Sequence, residues 1–210
     1  MRTSTLFAFI FSRLVTVPAF LITLALTSGC ATSGTTASSW KPDAGFTSLF
    51  NGRDLSGWEY RGADAGVFDG LGQSSDARYT VADGIIKTKD RDLTKKEPIR
   101  QLSTVRTFTG DMVIKLEFRA GVNADSGIFI RGKQLQCRDY LVAGPYKQLQ
   151  KYKPQDWNEI EIVVKNNLAH CTCNGEVLEE ALLVPAEGSI GLEADRGVLE
   201  YRHIELHSGT

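Results

Sequence analysis

This sequence predicts an all-β fold, a sandwich of two antiparallel sheets, and three observations carry that prediction. Short segments of alternating apolar and polar side chains recur along the chain. Turn pairs such as Asn51-Gly52, Asp83-Gly84 and Asn174-Gly175 separate them. Helical periodicity is nearly absent, and many short strands at regular spacing build sandwiches or barrels.

Taken in order, "FTSLF" (residues 46–50) is a short apolar strand closed by Asn51-Gly52. "YTVADGIIKTK" reads as a hairpin around Asp83-Gly84, with Tyr79 and Val81 alternating before it and Ile85 and Lys87 after. "DMVIKLEFRA" sets Met112, Ile114, Leu116 and Phe118 against Val113, Lys115, Glu117 and Arg119. Ile128, Phe129 and Ile130 form a buried run that ends at Arg131. Beyond it Gln134, Gln136, Arg138 and Tyr140 alternate with Leu135, Cys137, Asp139 and Leu141. "WNEIEIVVKNNLAHCTCNGEVLEE" holds two or three strands, broken at Asn166-Asn167 and Asn174-Gly175, and "GSIGLEA" and "VLEYRHIELH" close the chain. One helical turn is expected in "KEPIRQLST" and another in "GPYKQLQKY". Residues 62–78, rich in Gly and Asp, read as a long loop over one end.

The N-terminus reads as an address. Arg2 and Arg13 flank the start, and the apolar run of residues 14–26 is too short to span a bilayer comfortably. "TSGC" follows and resembles a lipobox, with Leu26 one place early and Thr27 where the leucine usually stands. On this reading residues 1–29 are a lipoprotein signal peptide, Cys30 is lipidated, and residues 30–44 are a polar tether to a domain at 45–208. The alternative is a plain cleaved signal with an incidental cysteine. Either reading exports the protein, and the lipoprotein reading holds it at the bacterial cell envelope through the lipid anchor alone, with no transmembrane helix in the mature chain.

Loss of residues 1–29 removes two of the 24 basic side chains and no acidic one, leaving 22 against 25 acidic. Such a balance gives no support for a nucleic-acid partner. The remaining length suffices for one domain with a sizeable core. Cys137, Cys171 and Cys173 stay in the domain. One disulfide, Cys137 with either partner, is open in an exported protein, and buried thiols are the simpler reading. The C-x-C spacing lacks a zinc knuckle, and His170, His203 and His207 have no metal-ligand spacing, so no metal site and no cofactor are assigned. A structural calcium ion in the Asp-rich loops is left open.

The blocks "GFTSLFNGRDLSGWE", "YTVADGII", "DMVIKLEFR", "DSGIFIRG", "WNEIEIVV", "NGEVLEE" and "GSIGLEA" with "LEYRHIEL" together resemble the 3-keto-disaccharide hydrolase family, over residues 45–207. The resemblance implies the concanavalin A-like lectin/glucanase jelly roll, with a carbohydrate on its concave face. It also implies action on disaccharides already oxidised at C3 of one ring. On that face it places Glu117, Arg131, Gln136 and Asp139. Many members carry a glutamate two residues before Gln136, where this chain has Gln134, an amide that cannot serve as a base at neutral pH.

A C3 carbonyl acidifies the hydrogen at C2. Its removal gives an enolate that can expel the group on C1, and water can then add. This chemistry needs one base and one donor for the enolate oxygen. Glu117 is the first candidate for base and Asp139 the second. Arg131 is the candidate oxyanion partner, because its guanidinium presents a fixed fork of donors. Gln134, Gln136, Arg138 and Trp157 are candidate substrate contacts. Direct hydrolysis would need two matched carboxylates, and the chain has no E-x-D-x-E strand, since "NEIEI" lacks the central aspartate. A non-catalytic carbohydrate-binding module on the same fold, or an adhesion lipoprotein, are the rival readings. Glu117 between Lys115 and Arg119 fits a solvated face equally well, and Trp157 fits a core position.

Overall fold

The computed structural model describes residues 40–142 and 144–209. The signal peptide, Cys30 and residues 30–39 of the expected tether lie outside the described residues. No helix among those described is long and apolar enough to cross a membrane.

The strands in chain order are β1 (Thr47–Ser48), β2 (Trp58–Tyr60), β3 (Gly66–Val67), β4 (Tyr79–Ala82), β5 (Ile85–Thr88), β6 (Arg100–Thr104), β7 (Phe108–Thr109) and β8 (Met112–Ala120). They continue as β9 (Asp125–Ile130), β10 (Lys133–Arg138), β11 (Asn158–Lys165), β12 (Leu168–Cys173), β13 (Glu176–Leu183), β14 (Glu187–Gly188), β15 (Ile190–Ala194) and β16 (Leu199–Ser208). An eight-stranded sheet runs β13-β12-β11-β8-β16-β5-β4, with β1 added on β16. A six-stranded sheet runs β10-β9-β15-β6-β2-β3, and β7 and β14 form a small ribbon. Every named strand pair is antiparallel.

The alternation read from the sequence becomes the core. Met112, Ile114, Leu116 and Phe118 of β8 are buried, as are Ile128 and Ile130 of β9, Leu135 and Cys137 of β10, and Trp58 of β2. The turn chemistry holds as well. Asp83-Gly84, Asn166-Asn167 and Asn174-Gly175 all have positive φ, the geometry of two-residue hairpins that matches strand twist. A fourth such turn is Arg131-Gly132, with φ of 53° and 91°. It folds β10 straight back on β9 and pairs Gln134 with Phe129 and Gln136 with Gly127.

Two expectations are corrected. "KEPIRQLST" makes no helical turn, because residues 100–104 form β6, between β15 and β2 in the six-stranded sheet. "GPYKQLQKY" is a series of turns rather than helix, held by Gln150 and Lys151 N–H groups on the Glu176 carboxylate. All three cysteines of the domain are free and buried, so no disulfide is present among them. Residues 40–44, read as the end of the tether, are seated on the domain. The Trp40 ring stacks on His203 at 4.7 Å, and Asp43 pairs with Lys115 at 2.7 Å.

Candidate functional site

Two outward faces carry polar side chains, and the candidate residues are divided between them. Glu117 lies on the outer face of the eight-stranded sheet, where Arg202 Nε meets its carboxylate at 2.5 Å and His203 Nδ1 lies 3.4 Å away. Trp157 is on the same side, partly exposed, its ring against the guanidiniums of Arg202 at 3.9 Å and Arg119 at 4.7 Å. Gln134, Gln136 and Arg138 belong to the other sheet. The structure therefore does not bring Glu117 or Trp157 to the face that Gln136 occupies.

Arg131 and Asp139 are turned to structural partners. Arg131 is buried, and its guanidinium reaches back to the Gly110 and Pro185 carbonyls and the Met112 sulfur. Burial lowers its affinity for the proton. Asp139 is also buried and accepts from the Asn123 N–H at 3.1 Å and Gln155 Nε2 at 3.2 Å. These contacts tie together the β8–β9 connection and residues 139–157.

What β10 does bring together is a different set. Across β9 lies β15, and its Glu193 is only 8% exposed. Gln134 donates to the Glu193 carboxylate at 2.7 Å. Its side chain crosses directly over Gly127, where a Cβ would sit 2.5 Å from Gln134 Nε2. On the other flank, Gln101 of β6 is the cross-strand partner of Glu193, and its amide lies over Gly191 in the same way, at 2.5 Å from a notional Cβ. Two glycines thus leave a floor on which two glutamines lie flat around one carboxylate. Arg138 and Arg196 share the Asp125 carboxylate at the outer end, and Arg138 also donates to Gln136. Arg91 pairs with Asp195 at 2.8 Å.

The backbone under Glu193 is clamped. Three consecutive carbonyls of β15 accept from buried side chains: Leu192 from the Tyr79 hydroxyl at 2.7 Å, Glu193 from Ser126 at 2.6 Å and Ala194 from Arg78 at 2.8 Å. Burial pushes Glu193 up to about 7, reinforced by the charges of Asp195 and Asp125, while the Gln134 amide and Arg91 pull it back down. A carboxylate that titrates near neutrality can both take and return a proton at working pH. Beside Gln101 and Ser103 the face opens into a cleft of about 470 Å³, also bordered by Tyr60, Arg61, Arg100 and Ser189.

Among the described residues no group of three or more His, Cys, Asp or Glu side chains converges as a metal site. Acidic groups of the loops near residues 51–78 are engaged locally. Asp69 accepts from the Gly57 N–H, and Asp76 from Tyr60, Ser74 and Arg100.

Sequence reasoning missed Glu193 because all five residues of β15 are buried, and "IGLEA" reads as plain core. The available signal was an acidic residue inside such a run, two places after a glycine on the same face.

Residues 45–207 match the family described as 3-keto-alpha-glucoside-1,2-lyase-like domain. No curated protein matches the sequence. Two solved structures from Parabacteroides distasonis, both of candidate glycosyl hydrolases, share the fold. One is 17% identical with a TM-score of 0.60, over 79% of this chain and 95% of its own. The other is 16% identical with a TM-score of 0.57, over 78% of this chain and 99% of its own.

Proposed function

The chain belongs to the 3-keto-alpha-glucoside-1,2-lyase-like domain family, and from that premise we propose that it cleaves 3-keto glycosides by elimination, with Glu193 as the base. The observation that carries this reading is the buried Glu193 carboxylate, raised to about 7 and oriented by Gln134.

In the proposed reaction Glu193 removes the proton at C2, next to the C3 carbonyl. The electron pair of that C–H bond becomes the enolate, and its collapse forms the C1–C2 double bond as the C1–O bond breaks. The departing oxygen takes a proton, for which protonated Glu193 is the nearest acid in this scheme. Elimination alone is a lyase reaction, and addition of water to the unsaturated product gives net hydrolysis. General-base catalysis of this kind contributes about 10²–10⁴-fold in rate.

Enolate charge calls for a donor, and Arg91 is the side chain we assign to it. Its guanidinium is close enough to oppose the upward shift of Glu193 and is held in place by Asp195 at 2.8 Å. A donor placed on developing negative charge contributes about 3 kcal/mol. Gln134, Gln136 and Arg138 then hold hydroxyls of the oxidised ring over the glycine floor. Glu193 takes over the base role for which Glu117 and Asp139 were the sequence candidates. Export to the cell envelope and lipidation at Cys30 belong to this proposal and rest on the sequence alone.

The test uses the purified protein with a panel of 3-keto disaccharides beside their unoxidised parents, following release of the leaving sugar. Cleavage of the keto sugars alone, lost in Glu193→Gln, is expected. Saturable binding without cleavage would leave a carbohydrate-binding module and refute the enzymatic reading.

A further inference from the structure

Resting on the elimination reading, we propose that the cleft beside Gln101 is the subsite for the leaving half of the substrate, and that it selects a saccharide carrying a carboxylate. Direction along the face comes first. In sheet order the polar side chains run from Gln136 and Arg138 on β10, across β9, to Glu193 on β15, then Gln101 and Ser103 on β6 and Arg61 just beyond β2. Neighbouring strands lie about 4.8 Å apart. With the oxidised ring between β10 and β15 and its C2 at Glu193, the bond to be broken lies toward β6. The departing sugar then falls into the cleft of about 470 Å³, a volume in the range of small-ligand sites.

The charged side chains lining that cleft are guanidiniums, and the carboxylates of Glu59, Asp64 and Asp76 that pair with two of them stand outside the lining. Arg61, Arg100 and Arg131 are its charged lining residues, and no carboxylate borders it. Arg131 is turned away to the Gly110 carbonyl, which leaves two guanidiniums facing a ligand. Arg61 gives Nε to Glu59 at 2.6 Å and one Nη to the Thr104 carbonyl at 3.0 Å. Arg100 gives Nε to Asp76 at 2.8 Å and one Nη to Asp64. Each keeps its second Nη without a hydrogen bond among the described residues. Ser103, Ser189 and the Gln101 amide add neutral donors. Two guanidinium ends and these donors suit an acceptor-rich ring bearing a carboxylate, for which Arg supplies directional paired bonds.

Two arms test this. In the first, kcat/KM is compared for a 3-keto disaccharide releasing glucuronate and its analogue releasing glucose. The acidic substrate is expected to be favoured about 10-fold or more, and Arg61→Gln is expected to bring the ratio toward 1. In the second, binding of free glucuronate and of glucose is followed by ligand-observed NMR at low salt. Glucuronate is expected to bind and glucose not, with the binding lost in Arg61→Gln. Cleavage without preference for the acid overturns the subsite assignment and leaves the elimination intact. Where neither substrate is cleaved, glucuronate binding that depends on Arg61 supports the cleft, and absence of such binding overturns it.

Discussion

Replacing Glu193 with glutamine is expected to make the protein more stable, by an amount that grows as pH rises above about 4.5 and levels off above 7. In the fold Glu193 titrates at about 7 against an ordinary 4.5. The native state therefore holds this proton more tightly than the unfolded chain does. Wild-type stability is intact below about pH 4.5, falls as pH rises through 4.5 to 7, and the loss is complete above 7. The interval of about 2.5 pH units at about 1.4 kcal/mol each gives an upper figure near 3.5 kcal/mol; residual solvent access reduces this to about 2 kcal/mol. Glu193→Gln keeps an oxygen for the Gln134 amide and never carries the charge. In urea, with a slope of about 1–3 kcal/mol per molar, its midpoint is expected to exceed the wild-type value by about 1 M at pH 8 and to coincide with it at pH 4. Other titrating groups cancel in the difference between the two proteins. A midpoint difference that is the same at both pH values, or a variant less stable at pH 8, would show that Glu193 is not held as a strained buried carboxylate.

Gly127→Ala places a methyl group 2.5 Å from Gln134 Nε2. The far end of that side chain moves, the Glu193 bond is lost, and the acid limb of the pH–rate profile is expected to rise by about one pH unit; an unshifted profile counts against the Gln134 role. Glu117→Gln, on the other sheet, is expected to leave the turnover of keto sugars within about twofold, while losing the Arg202 pair costs about 1 kcal/mol. A loss of 100-fold would return the base role to Glu117. The thiols of Cys137, Cys171 and Cys173, all buried and raised by that burial, are expected to resist a thiol reagent in the native protein and to react on unfolding; fast native labelling contradicts this packing.

The fold was legible wherever one face was apolar and the turn residues were specific. Alternation in residues 112–118 and the pairs Asp83-Gly84 and Asn174-Gly175 survive unchanged in β8 and in the β4–β5 and β12–β13 hairpins. β6 was illegible because its outer face is polar. That face carries Gln101, which lies over Gly191, and Ser103, which pairs with that glycine, so "RQLST" lacks the alternation of an ordinary half-buried strand. Gln134, Gln136 and Arg138 share one face of β10, as their regular alternation predicts. Sequence alternation does not reveal that Arg131 stands in a hairpin turn with φ of 53° and turns its guanidinium to the Gly110 carbonyl. Glu193 was hidden by the same burial that raises its pKa, since a strand buried on both sides presents no polar stripe.

The fate of the C2 hydrogen separates elimination from direct displacement at C1. A 3-keto disaccharide deuterated at C2 of the oxidised ring would be compared with its protio form, following leaving-group release and the mass of the sugar products. Elimination through Glu193 predicts slower release from the deuterated substrate and loss of the label to solvent, with both cleavage and exchange lost in Glu193→Gln. Cleavage at equal rates with full retention of deuterium at C2 would rule out proton abstraction by Glu193 and point to direct displacement at C1.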